Sequence, residues 1–301
     1  MKWKKRGVIF CPDRHFDWMQ THASSPFVEV LGGGMIRVYF TSRDRQNRSS
    51  IGSLDLDISD PFKIFNLSPQ PLVAPGAPGL FDDSGAAMAW LTIVSGKKYL
   101  YYLGWNLGVT VPWRNSLGLA VAGTGDKGFT KFSSAPLLDR NEVDPYSISY
   151  PSILIEKNLW RMWYGSNLSW GPDPSDMSHV LKYAESSDGI HWERRGKIAL
   201  GLDSKEEYAL AKPFVLKENG IYKMWYSYRG KSYRIGYAES ADGLQWERMD
   251  ANVGIDISPT GWDSEMVEYA CIFDLNEERY MLYNGNGYGK TGFGLAVLEE
   301  S

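Results

Sequence analysis

The chain has 301 residues, of which 43% are hydrophobic and 23% charged, and its formal net charge is −4. These values belong to an ordinary globular protein and exclude a largely disordered one. They also exclude the electrostatic footprint of a nucleic-acid binder, because the 32 Lys and Arg residues are not gathered into one run.

At the start of the chain, Met1-Lys-Trp-Lys-Lys-Arg is followed only by Gly7-Val-Ile-Phe before Cys11, an apolar run too short for a secretory signal. No run of about 18 apolar residues offers a membrane span, so the expected location is the cytoplasm. Cys11 and Cys271 are the only cysteines, which argues against a disulfide framework or a thiolate zinc cluster. His15, His22, His179 and His191 show no metal-ligand spacing, so no metal site is expected. The 12 Trp and 18 Tyr stand out, since such rings fill the space between sheets and also stack on sugar faces.

Taken in chain order, one pattern recurs. It runs Arg37-Val-Tyr-Phe-Thr-Ser, Lys98-Tyr-Leu-Tyr-Tyr-Leu-Gly, Arg161-Met-Trp-Tyr-Gly-Ser, Lys223-Met-Trp-Tyr-Ser-Tyr and Arg279-Tyr-Met-Leu-Tyr-Asn-Gly. A second match follows in two of the copies: Lys182-Tyr-Ala-Glu-Ser-Ser-Asp-Gly-Ile-His-Trp and Gly236-Tyr-Ala-Glu-Ser-Ala-Asp-Gly-Leu-Gln-Trp. Pro26, Met88, Pro151, Pro213 and Ala270 occupy equivalent places ahead of these strands, at spacings of 62, 63, 62 and 57 residues. Short aromatic or alternating strands separated by Asn-Gly and Asp-Gly turns signal hairpins, and no amphipathic helix interrupts them. A repeat of about 60 residues built as one meandering sheet is a propeller blade.

The predicted fold is therefore all-β, one five-bladed β-propeller domain over 1–301. The last copy lacks an outer strand, and Trp3-Lys-Lys-Arg-Gly-Val-Ile is similar to Trp192-Glu-Arg-Arg-Gly-Lys-Ile. The N-terminal segment is thus expected to supply the outer strand of the last blade and close the ring. Asp188-Gly-Ile-His-Trp192 and Asp242-Gly-Leu-Gln-Trp246 read as hairpins with a packing Trp rather than as ligand sites.

In a propeller the innermost strands surround the axis, so their starts and the ends of the second strands open into one funnel. In blade order the starts bring Gln20-Thr-His22, Phe81-Asp-Asp83, Asp144-Pro-Tyr146, Glu206-Glu207 with Lys212, and Trp262-Asp263-Ser-Glu265-Met-Val-Glu268. The ends bring Arg43-Asp44, Asn106, Asn167, Arg229 and Asn284. Several acids, a few cations and flanking aromatics suit a polyhydroxylated ligand, and the cations suit a phosphate. Expected substrate-binding residues are His22, Arg43, Asp44, Asn106, Asp144, Tyr146, Glu207, Lys212, Arg229, Asp263 and Asn284. Asp83 with Glu265 or Glu268 is the expected catalytic set; Met266, Val267 and Tyr269 would keep one of the two glutamates protonated. Strand alternation puts 265 and 268 on opposite faces, so one of them is structural.

The repeated Met-Trp-Tyr and Ser-x-Asp-Gly-x-x-Trp strands, with Phe81-Asp-Asp-Ser-Gly85, Gly261-Trp-Asp-Ser-Glu-Met-Val-Glu268 and Tyr283-Asn-Gly-Asn-Gly-Tyr288, resemble the five-bladed propeller clan of glycoside hydrolase families 43 and 32 and the family 130 phosphorylases. The resemblance implies a carbohydrate-active enzyme, acting as a hydrolase or, alternatively, as a phosphate-using phosphorylase or transferase in surface-polysaccharide metabolism. A non-catalytic glycan-binding propeller is the third reading. The chain departs from the clan's three-carboxylate plan: blade one offers His22, with Asp17 before it, and blade three offers Asp144 and Tyr146. The resemblance requires no cofactor, and it allows an axial Ca²⁺ with oxygen ligands.

Overall fold

The computed structural model describes residues 1–123, 125, 128–171, 173 and 177–299. Its strands form successive antiparallel meanders. The first contains β2 (Thr21–Gly32), β3 (Met35–Arg43), β4 (Ser49–Asp57) and β5 (Asp60–Phe65). β6 (Gly85–Val94), β7 (Lys97–Leu107), β8 (Trp113–Gly123) and β9 (Thr130–Lys131) form the second. The third is β10 (Ile148–Glu156), β11 (Leu159–Ser169), β12 (Ser178–Ser186) and β13 (Trp192–Leu200), and the fourth β14 (Ala209–Glu218), β15 (Ile221–Arg229), β16 (Tyr233–Ser240) and β17 (Glu247–Arg248). In the fifth, β18 (Glu268–Leu275), β19 (Glu278–Asn284) and β20 (Phe293–Leu298) are joined by β1 (Trp3–Phe10), whose Trp3 lies opposite Leu298 and whose Lys5 lies opposite Ala296.

The turns between first and second strands follow from their residues. Gly33-Gly34, Ser95-Gly96, Asn219-Gly220 and Asn276-Glu277 all have both central residues at positive φ, the type I′ geometry that matches strand twist. Second strands are buried on both faces, so they read as continuous apolar runs: Val38-Tyr39-Phe40, Met162-Trp163-Tyr164 and Met281-Leu282-Tyr283 are all almost fully covered. Neighbouring meanders are tied by these rings. Tyr101 donates to the Gly189 carbonyl at 2.7 Å, and Trp163 Nε1 to that of Gly243 at 2.7 Å. Asp188 and Asp242 accept backbone N–H groups of their own turns, while Trp192 and Trp246 donate to the carbonyls of Gly189 and Gly243.

First strands pack on one another in a cycle: β2 on β6, β6 on β10, β10 on β14, β14 on β18 and β18 on β2. The parallel bridges Ser49–Gly85 and His179–Ala209 set β2 with β6 and β10 with β14 in one direction, and the start-side bonds Asn115 N–H to Ser147 Oγ, Val267 N–H to the Tyr233 carbonyl and Asn284 Nδ2 to the Ala23 carbonyl align the remaining neighbours. All their starts therefore share one face. Each first strand carries a register shift, between Ser24 and Phe27, Met88 and Trp90, Ser149 and Pro151, Ala211 and Phe214, and Glu268 and Cys271. Three residues in these bulges, Ser25, Lys212 and Tyr269, sit at positive φ, which is strained for anything but glycine and which re-aims a side chain.

Candidate functional site

The recurring acids ahead of the first strands have a common use. Asp82 accepts from Tyr102 Oη at 3.0 Å and Lys131 at 2.6 Å; Asp144 accepts from Tyr164 at 2.9 Å, Lys182 at 3.1 Å and Arg194 at 2.9 Å; Asp263 accepts from Tyr283 at 3.0 Å and Lys5 at 2.7 Å. In the fourth meander Tyr226 donates to Asp250 at 2.6 Å, and Arg248 bridges Asp250 to Glu207. Asp82, Asp144 and Asp263, all buried, thus each fasten their own second strand to an outer strand, and in the fourth meander the half-buried Asp250 does so, with the buried Glu207 held through Arg248. Asp144, Glu207 and Asp263 are committed to these bonds. Asp44 is likewise occupied, accepting from the N–H groups of Gln46 and Arg48 and pairing with the Arg48 guanidinium at 2.9 Å.

A different set gathers at the strand starts. Glu268 is 0% exposed, and neither carboxyl oxygen has a hydrogen-bond partner among the described residues. Burial drives its pKa well above the carboxylate range, against the pull of Arg229. The Arg229 guanidinium lies over three rings, 5.2 Å from the centroid of Tyr208, 5.5 Å from Tyr233 and 5.8 Å from Tyr288. Tyr233 stands 6.2 Å from Tyr269, and Tyr269 5.3 Å from Tyr150. Burial, reinforced by Glu268, holds the Tyr233 and Tyr269 hydroxyls protonated. Tyr150 lies among Ser25, Glu268, Arg43 and Tyr269, and so joins this cluster to the first meander.

At that junction stands His22, with φ of 63° and Nδ1 2.9 Å from Thr21 Oγ1. Burial, then the charges of Arg43 and Lys290, lowers its pKa to about 4. Lys212 is buried in its bulge beside Cys271, and burial lowers its pKa to about 8. Asn284 is fully buried and scaffolds the site: its Oδ1 accepts the Ser25 N–H at 2.7 Å, and its Nδ2 donates to the carbonyls of Ala23 and Gly292.

Asp83 opens onto the same face, immediately before β6. Burial alone would raise its pKa, but the Gly79 N–H at 2.9 Å, Asn106 Nδ2 at 2.7 Å and Ser84 Oγ at 3.0 Å hold it below the usual value. Asn106 also donates to the Leu80 carbonyl, so it fixes the loop as well as the carboxylate. Of the two glutamates left open by the sequence, Glu268 is enclosed among the tyrosines, whereas Glu265 is exposed. Tyr146 is also exposed.

Sequence reasoning did not single out Tyr150, Tyr208, Tyr233, Tyr269, Tyr288 or His179 as site residues. The signal available was positional: Ser25, Tyr150, Lys212 and Tyr269 directly precede Pro26, Pro151, Pro213 and Ala270, and those are the bulged places. The donor set is a poor match for an axial Ca²⁺, which takes six to eight oxygens. Among the described residues no three His, Cys, Asp or Glu side chains are grouped to hold a metal, and Glu268 faces a guanidinium.

The architecture is that of the glycoside hydrolase β-propellers. It superposes on a glycoside hydrolase with a TM-score of 0.78 (15% identical, covering 99% of this chain and 92% of that one), and on a thermostable family-43 glycoside hydrolase at 0.69 (16% identical, 93% and 91%). A structure from the GH130 family of mannoside phosphorylases, which contains hydrolases that target β-1,2 mannosidic linkages in Candida mannan, superposes at 0.71 (14% identical, 99% and 93%). At these identities the likeness is one of fold. No family model matches the sequence. The chain belongs to the family of the uncharacterized protein Rv1502 of Mycobacterium tuberculosis (strain ATCC 25618 / H37Rv), with which it is 45% identical over 299 residues, 99% of this chain and 100% of that protein.

Proposed function

We propose that the chain is a single five-bladed propeller acting as a carbohydrate-active enzyme, with Glu268 as proton donor and Asp83 as base. The cyclic packing of β2, β6, β10, β14 and β18 and the pairing of β1 with β20 support the closed ring. One observation carries the chemistry: two carboxyls on one face are driven to opposite protonation states, Asp83 down by hydrogen bonds and Glu268 up by burial. Such a split assigns acid and base.

In this reading Glu268 gives its proton to the leaving glycosidic oxygen as the C1–O bond breaks, and Arg229 balances the carboxylate that forms. A water attacks C1, and Asp83 takes its proton. Tyrosine hydroxyls and the Arg229 N–H groups orient the sugar hydroxyls. The fold neighbours, which are glycoside hydrolases and mannoside phosphorylases, support a glycosidic substrate.

A second reading rests on a separate observation. The charges of Arg43 and Lys290 both bear on His22 at the rim, which suits inorganic phosphate as the attacking group in place of water.

Aryl glycosides assayed with and without phosphate separate the two readings: turnover that needs phosphate selects the second. Asp83→Asn and Glu268→Gln should each lower turnover by about 10²–10⁴-fold while the protein stays folded. Full activity in both variants would overturn the assignment.

A further inference from the structure

Beyond the Glu268 cluster lies a second group of polar atoms without partners. Asn167 on β11 and His179 on β12 face each other directly in the strand register and are 1% and 6% exposed. Their backbones are pinned, Asn167 N–H to the Ser147 carbonyl and His179 N–H to the Tyr208 carbonyl, both at 2.9 Å. Their side chains are not. Neither amide atom of Asn167 and neither ring nitrogen of His179 has a hydrogen-bond partner among the described residues. Folded proteins rarely leave four such atoms unbonded in adjacent buried side chains, so a bonding partner for them is expected.

The surroundings identify the class of ligand. The Trp113 ring stands 6.4 Å from the His179 ring and meets Trp170 edge-on at 4.8 Å, with both indoles partly exposed. Arg229, which faces Glu268, also acts on His179 and links the two groups. A cation would be repelled by Arg229, and an anion would bind Arg229 in preference to a neutral amide. Asn167 and the imidazole together offer donors and acceptors, the complement of hydroxyls that both donate and accept. Indole faces cover the C–H side of a sugar ring.

We infer that Asn167 and His179, with Trp113 beside the His179 ring and Trp170 against Trp113, form a second subsite for an uncharged sugar ring, so that the substrate is at least a disaccharide. This deepens the carbohydrate reading given above and rests on it. The ring displaces the Trp113–Trp170 edge contact, and its neighbouring hydroxyls bridge the amide and the imidazole.

The test is binding of neutral disaccharides (mannobiose, cellobiose, maltose) and the matching methyl glycosides to the full chain, followed by tryptophan fluorescence and by the ¹⁵N signals of the His179 ring. Asn167→Leu, His179→Phe and Trp113→Phe should each weaken the favoured disaccharide at least tenfold and leave the monosaccharide unchanged. In the wild-type protein the disaccharide should move the His179 signals. Trp113→Phe, at a partly exposed position, and the wild-type ring signals carry the test if a buried variant fails to fold.

The inference is overturned if no neutral disaccharide shifts those signals, if inorganic phosphate alone does so, or if all folded variants bind as the wild type does. The outcomes are separable. Should Asp83→Asn and Glu268→Gln retain turnover while disaccharide binding depends on His179, the catalytic assignment falls and the subsite stands; the reverse pattern removes only the subsite.

Discussion

Lys5 and Asp263 are 258 positions apart in the sequence, and their charged atoms are 2.7 Å apart. Tyr283 donates to the same Asp263 oxygen at 3.0 Å, so the first strand of the chain is bolted to the last meander through a buried carboxylate. Lys5→Met leaves that carboxylate with a single neutral donor and should cost about 2–3 kcal/mol. Urea unfolding measures it. In a double-mutant cycle with Asp263→Asn, the second change should cost much less in the Lys5→Met background than alone.

Glu268 is ordinary in the unfolded chain, near 4.5, and raised well above that in the folded one. Above the unfolded value the native state binds more protons, so its share of stability falls as pH rises toward the folded pKa. Glu268→Gln should therefore raise the melting temperature at neutral pH and flatten its decline with pH. Melting curves at intervals of pH on both proteins check this, and a Gln variant less stable than the wild type at pH 8 would contradict it.

Lys212 titrates at about 8 in the fold against 10.5 when free. Between those values the unfolded chain binds more protons, so stability rises with pH over that window, and at pH 7 the full cost of the buried charge is present. Lys212→Met should stabilise the protein at pH 7 by up to about 3 kcal/mol. The gain should shrink toward pH 10 when measured by denaturant midpoints.

His22 and His179 both sit near pKa 4, below the free value of 6.5, mainly through burial. The unfolded chain takes up these protons first, so stability drops as pH falls from 6.5 to 4. His179→Phe should remove part of that acid slope and leave the neutral-pH baseline intact, as seen by thermal melts between pH 4 and 7.

The repeat was legible because aromatic second strands and Asp-Gly turns are local signals. Pro26, Met88, Pro151, Pro213 and Ala270, which mark the repeat, fall in or beside the register shifts of their strands, although nothing in their spacing announces a bulge. The roles of the acids were less legible. Asp144, Glu207 and Asp263 recur because each fastens strands, and a recurring carboxylate ahead of an apolar strand reads the same way whether it meets a ligand or a lysine. Choosing Glu268 over Glu265 needed coordinates, because burial depends on Tyr150, Tyr233 and Arg229 from other meanders. His179 was hidden for the same reason: its neighbour Trp113 is far away in the chain.

The first meander carries Gln20 and Phe40 where the others carry an acid and a tyrosine, and Gln20 bonds instead to the Phe16 carbonyl and Arg45. Mechanical strength in this molecule is consequently stored module by module, outward from the centre, in parts that one module can replace with an uncharged version. Side chains at the strand starts are then free to vary without loosening the frame.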